Sequence, residues 1–82
     1  MNVKVLYFAL ARELARKKSE SMEVPNGIHL FELVEELKGR HPQLEKLGDS
    51  IRFSVNLDLV DNIGFQIHDG DVVGVLPAVA GG

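Results

Sequence analysis

The chain closes with Asp69-Gly70-Asp71-Val72-Val73-Gly74-Val75-Leu76-Pro77-Ala78-Val79-Ala80-Gly81-Gly82, and this run decides how the rest is read. His68-Asp69-Gly70-Asp71 is a turn, because Gly70 can take a positive φ and the aspartates can accept hydrogen bonds from nearby backbone N–H groups. Residues 71–76 then alternate Val73 and Val75 against Val72, Gly74 and Leu76, the period of a strand. Pro77 has no N–H and cannot continue an interior ladder, so it marks the change from strand to tail. Residues 77–82, extended, reach about 20 Å. Gly81 and Gly82 lack Cβ atoms, so the tip is thin enough to thread a channel and bring the Gly82 carboxylate close to a nucleotide phosphate. The tail is Pro-Ala-Val-Ala rather than a Ser/Gly linker, which argues for a task rather than simple fraying.

Working back, residues 2–9 read as a first strand with Val3, Val5 and Tyr7 inward. Leu6 and Phe8 then fall on its outer face with Lys4. Residues 9–18 suit a short helix, with Leu10 and Leu14 four apart and Arg16, Lys17 and Lys18 favouring its C-terminal end. Residues 19–24 form a second strand, and Pro25-Asn26-Gly27 a turn. The main helix spans about 29–40. Ile28, Phe31, Val34 or Leu33, and Leu37 are read as its core face, and Glu32, Glu35, Glu36 and Lys38 as its solvent face. Pro42 ends it at or before His41. Residues 43–48 are expected to be irregular or 3-10, inserting Leu44 and Leu47. Residues 51–56 make a third strand, Asn56-Leu57-Asp58 a tight turn, and Leu59-Val60 the return; Ile63, Phe65 and Ile67 pack as a connector. The pattern is a two-layer α+β domain: a mixed sheet of about five strands on one main helix, first and last strands adjacent at its centre.

Composition narrows the function. Eighty-two residues make one domain, read as residues 1–76 followed by a flexible tail, 77–82. There is no cysteine, which excludes disulfides, thiolate metal sites and a cysteine nucleophile. The net charge of −3 argues against nucleic acid. No run approaches the ~20 apolar residues of a membrane span, and the reading is a cytoplasmic protein. His29, His41 and His68 lack metal-ligand spacing and are expected to be solvated or capping. Asp69-Gly70-Asp71 lacks the further oxygen ligands of a calcium loop. Ser19, Ser21, Ser50 and Ser54 have no nucleophile-elbow context. The basic cluster of Arg12, Arg16, Lys17 and Lys18 serves helix-end electrostatics or docking onto an acidic surface.

Val5-Leu6-Tyr7-Phe8-Ala9 with Arg12-Glu13, Val55-Asn56, Asp69-Gly70-Asp71-Val72-Val73 and the terminal Gly-Gly together resemble the MoaD/ThiS family of sulfur carriers over essentially the whole chain. The resemblance implies a β-grasp, ubiquitin-like fold. It implies that Gly82, with Gly81, is the reactive end: an E1-like adenylyltransferase (MoeB-like) adenylates the carboxylate with ATP, and the acyl adenylate becomes a thiocarboxylate. The large subunit of molybdopterin synthase (MoaE-like) then uses that sulfur for the dithiolene of molybdopterin. No cofactor is bound by the carrier itself, and no metal, nucleic acid or membrane is implied. Phe8, Leu59, Leu76, Pro77 and Val79 fall at partner-facing positions. Relatives often end Pro-Pro-Val-x-Gly-Gly; Ala78 replaces the second proline here, which affects channel fit but not acyl chemistry. A modifier joined to lysines, a carrier for thiamine thiazole synthesis and a plain interaction domain with an inert tail are the alternatives.

Overall fold

The computed structural model describes residues 1–77. The order is β1 (Asn2–Tyr7), α1 (Leu10–Ala15), β2 (Ser19–Glu23), α2 (Leu30–Arg40), a 3-10 segment (Pro42–Ser50), β3 (Arg52–Val55), β4 (Asp58–Val60) and β5 (Val72–Leu76). The strands form one sheet in the order β2-β1-β5-β3-β4. β1 and β5 run parallel at its centre, and every other neighbouring pair is antiparallel. This is the mixed five-stranded sheet on one main helix that the sequence implies.

Alternation sets the inward face. Val3, Val5 and Tyr7 of β1, Val73 and Val75 of β5, and Phe53 and Val55 of β3 are buried. They meet Leu30, Leu33, Val34 and Leu37 of α2 and Leu44 and Leu47 of the 3-10 segment in one apolar cluster. Each fully buried Val or Leu contributes about 1.5–3 kcal/mol relative to exposure. The turn before β5 forms as its residues dictate. Gly70 has φ 84°, the His68 N–H donates to Asp71 Oδ2 at 2.8 Å, and the Asn2 N–H donates to Asp69 Oδ1 at 2.7 Å. That last bond ties the turn to the start of β1.

Three expectations are corrected. Phe31 does not face the core; it is 46% exposed. The buried set is Leu30, Leu33, Val34 and Leu37, at i, i+3, i+4 and i+7, which places Phe31 one position round the helix. Its ring instead stacks on His29, with centroids 5.8 Å apart. α1 is shorter than residues 9–18 because Arg16 adopts a left-handed conformation (φ 62°) that closes it. Its buried residues are Ala11 and Ala15; Leu10 is exposed, and small side chains let α1 lie close to the sheet. In the connector only Ile67 is buried, while Ile63 and Phe65 are exposed.

His41 also departs from a solvated or capping role. Its side chain is only 14% exposed, and Nε2 lies 2.5 Å from Glu20 Oε2. The Tyr7 hydroxyl donates to the same oxygen, and Arg40 reaches Oε1 at 3.3 Å. This network fastens edge strand β2 to the end of α2. Burial pushes the Glu20 carboxyl up, but hydrogen bonds from Tyr7 and His41 outweigh it and hold the group below the usual carboxylate range. Burial, aided by Glu20, raises the Tyr7 phenol far above its ordinary value. A depressed carboxyl stabilises the fold above its unfolded value of about 4.3, and that stabilisation is lost as pH falls through the lower folded value. Glu20→Gln is therefore expected to cost about 1–3 kcal/mol near neutral pH. In urea unfolding the gap to the parent protein should close on acidification below the carboxylate range; a gap unchanged by pH would show that the ionised form is not what matters.

Candidate functional site: the outer sheet face and the tail root

The residues that β1 and β5 turn away from the core lie side by side. Register pairs Leu6 with Gly74 across the parallel strands, Gly74 with Ser54 on β3, and Ser54 with Leu59 on β4. One row further along, Leu76 pairs with Arg52. Phe8 follows β1, and its N–H donates to the Val75 carbonyl at 3.0 Å. That bond extends the parallel ladder one residue past β1 and sets Phe8 beside the point where β5 gives way to Pro77.

Gly74 is what brings Phe8 down onto the sheet. A Cβ at Gly74 would stand 3.1 Å from Phe8 Cε2 and would collide with Ser54 Oγ. Leu76 Cδ1 lies 3.7 Å from the same point. The phenyl ring thus fills the dip left by the missing side chain, with Leu76 beside it. Leu6, Phe8, Val72 and Leu76 are half-buried on this face, and Leu59 stands out at 70% exposed. The helices pack on the opposite, inward side chains of the sheet.

Of the residues singled out from sequence, Phe8, Leu59, Leu76 and Pro77 therefore share one face or one end of the sheet. Val79, Gly81 and Gly82 lie outside the described residues, as does Ala78. Among the described residues no group of three His, Asp or Glu is placed to hold a metal ion. The Ser50 hydroxyl donates to the Leu47 carbonyl, a local bond within the 3-10 segment. No described helix is long and apolar enough to cross a membrane.

Asn56 does more than turn the chain. Its N–H donates to the Val72 carbonyl at 2.8 Å, its Oδ1 accepts from the Val72 N–H at 3.0 Å, and its Nδ2 donates to Asp71 Oδ1 at 2.9 Å. The β3–β4 hairpin is thereby clamped to the start of β5. Leu57, the next residue, is read from sequence only as part of the tight turn. It sits at φ 77° and is 88% exposed. A bulky residue is costly there, by roughly 1–2 kcal/mol. The available signal is Leu in the second position of a two-residue turn that favours glycine.

Gly74→Val should lift Phe8 off the sheet and cost stability by about 1–3 kcal/mol through overpacking. Aromatic-proton NMR shifts of Phe8 and thermal unfolding would read both effects. An unchanged Phe8 environment in a folded variant would refute the close approach.

Comparison with known proteins agrees with this geometry. A ThiS family model matches residues 5–82. The molybdopterin synthase sulfur carrier subunit of Homo sapiens is 36% identical, aligned over 98% of this chain and 93% of that one. Among solved structures, a Pyrococcus furiosus protein assigned as molybdopterin converting factor subunit 1 superposes with TM-score 0.86. It has 36% identity and covers 96% of this chain and 99% of that one. A chain of the Helicobacter pylori 26695 complex between subunits 1 and 2 of molybdopterin-converting factor matches with TM-score 0.74 and 27% identity, both chains being covered fully. The β-grasp sheet, the strand that runs into the tail and the match along nearly the whole sequence lead to one conclusion: this chain belongs to the ThiS family.

Proposed function

We propose that this protein is a sulfur carrier, the small subunit of a molybdopterin synthase, and that it works through the carboxylate of Gly82. The observation that carries the reading is the full-length similarity to the human sulfur carrier subunit. The placement of Leu76 and Pro77 beside an apolar sheet face adds to it. The reactive positions, Gly81 and Gly82, come from the sequence motif.

The chemistry needs no acid, base or metal from the carrier. A carboxylate is a poor acyl donor. Its oxygen attacks the α-phosphorus of ATP, pyrophosphate leaves, and the acyl–AMP anhydride is electrophilic. Hydrosulfide then attacks the acyl carbon, the bond to the AMP oxygen breaks, AMP departs and a thiocarboxylate remains; sulfur delivered as a protein persulfide gives an acyl disulfide instead, which a thiol reductant cleaves to the same thiocarboxylate. In this reading an E1-like adenylyltransferase binds the ATP and positions the tail, and the carrier supplies orientation alone. The large synthase subunit then draws the sulfur into the dithiolene of molybdopterin. The H. pylori pair of subunits supports a partner of that kind. The protein would act in the cytoplasm, with no active site of its own.

Phe8, Leu59 and Leu76 form the docking face in this reading, with Pro77 and Val79 guiding the tail. An apolar patch beside the tail root suits a partner that must hold the body while the tip reacts.

Incubation with the activating enzyme, ATP and a sulfur donor should raise the intact mass by the difference between one sulfur and one oxygen, localised to Gly82. Amidation of Gly82 should abolish that gain. Loss of sulfur loading in the unmodified protein, or conjugates on lysines in its place, would overturn the reading in favour of a modifier. Phe8→Asp should remain folded yet bind the large subunit at least about tenfold more weakly. Binding at the parental level would remove Phe8 from the docking face while leaving the acyl chemistry intact.

A further inference from the structure

The charge of this protein is unevenly placed. Arg12, Arg16, Lys17 and Lys18 around α1, with Lys38, Arg40 and Lys46 around the end of α2, include every Lys and Arg except Lys4 and Arg52. The same two stretches, 10–18 and 38–46, hold only Glu13 and Glu45 among the acids of a chain whose net charge is −3. The rest of the surface is strongly acidic by difference.

The fold gathers these two stretches at one place. The Tyr7 N–H donates to the Lys18 carbonyl at 2.8 Å, and the His41 ring meets Tyr7 edge-on with centroids 5.5 Å apart. Tyr7 pairs with Val75, and β1 runs parallel to β5. The end of β1 that collects the basic segments is therefore the end at which β5 hands over to Pro77. Between α1 and the start of the 3-10 segment lies an open groove of roughly 480 Å³, lined by Arg16, Arg40, His41 and Lys46, with Glu13 the only acid on its walls among the described residues. Arg40 and His41 are committed to Glu20. Among the described residues, Arg16 and Lys46 make no ion pair.

Helix-end electrostatics accounts for Arg16 and Arg40, which close α1 and α2. It does not account for Lys46, which lies within the 3-10 segment yet lines the same groove. We propose that this basic groove is a docking surface for an acidic strip on the large synthase subunit, the kind of partner that the H. pylori pair of subunits supports. The proposal rests on the reading that a partner takes up the tail. A protein surface is favoured over a small anion for two reasons. The ends of two helices facing the groove carry partial negative charge, which disfavours a compact anion held deep within it. No buried side-chain polar atom of the described residues lacks a hydrogen-bond partner, so none of them is left over to grip a small ligand. Long cations on an open rim instead meet a broad acidic surface. The acidic remainder of the molecule is repelled by the same surface, so this end leads in the encounter and the tail root arrives with it.

The test is stopped-flow association with the large synthase subunit and with the E1-like enzyme of the same organism. It compares the parent protein, Arg16→Glu/Lys46→Glu and the milder Arg16→Gln/Lys46→Gln. At low ionic strength the charge reversal should slow association with the large subunit by about tenfold or more, the neutralised pair falling between. High salt should erase the difference. Equal rates for all three proteins with the large subunit at low salt, or slowing with the E1-like enzyme alone, would overturn the proposal. So would protection of Arg16 and Lys46 by inorganic pyrophosphate in NMR titrations with partner rates unchanged, which would mark a small-anion site. If the reversed variant does not fold, the neutralised variant and the salt dependence of the parent decide between the same outcomes. Sulfur loading of Gly82 at saturating enzyme should be normal in every variant. Absent loading in the parent would defeat the carrier reading, whereas slowed association is read independently of it.

Discussion

The parallel pairing of β1 with β5 is the constraint on which the rest depends. It joins the first strand to the last and aligns Tyr7 with Val75 and Leu6 with Gly74. The inward members of the pair, Val5, Tyr7, Val73 and Val75, form the centre of the core. The outward members and their neighbour Phe8 make the apolar face. A parallel pair also sends both strands out at the same end of the sheet. That single geometric fact puts Phe8, the basic ends of the helices and Pro77 at one end of the sheet, Phe8 on its outer face and the helices on its inner one. A one-residue slip in this register would turn the valines outward and separate all three.

Around that centre, local devices hold the periphery. Asn56 clamps the β3–β4 hairpin to β5, Asp69 ties the last turn to β1, and Glu20 gathers Tyr7, Arg40 and His41. Each joins parts of the chain that are distant in sequence. The His29 N–H, by contrast, bonds the Glu32 carboxylate at 2.9 Å within the first turn of α2, a purely local cap. Long-range polar ties of this kind settle which edge meets which helix, while the apolar core supplies most of the favourable free energy.

Much of this is legible from sequence. Alternation places Val3, Val5, Tyr7, Val73 and Val75 inward, and Leu44 and Leu47 belong to the core as their setting suggests. The turn at Gly70 follows from its residues. Where sequence reasoning fails, each failure has a physical cause. Phe31 and the Leu30 set both fit a 3.6-residue period, and only the approach of the helix to the sheet chooses between them. Leu10 and Leu14 are equivalent by their spacing of four, yet α1 buries Ala11 and Ala15, packs Leu14 against the core and leaves Leu10 exposed. The setting of His41 is invisible in the sequence because its partner, Glu20, comes from another element. The outer face is legible as a set of unexplained apolar residues, but the role of Gly74 in seating Phe8 rests on a contact across two strands that spacing alone does not fix. The tail remains a matter of motif, since residues 78–82 lie outside the described structure.

The two outer strands of the sheet carry a consequence of their own. β2 reads Ser-Glu-Ser-Met-Glu, and β4 is only three residues long. A carboxylate-bearing rim on one side and a stub on the other offer poor templates for strand addition by another chain. Self-assembly into extended ribbons is thereby discouraged at both margins. Contact with another protein is therefore directed to the apolar outer face rather than to the edges of the sheet.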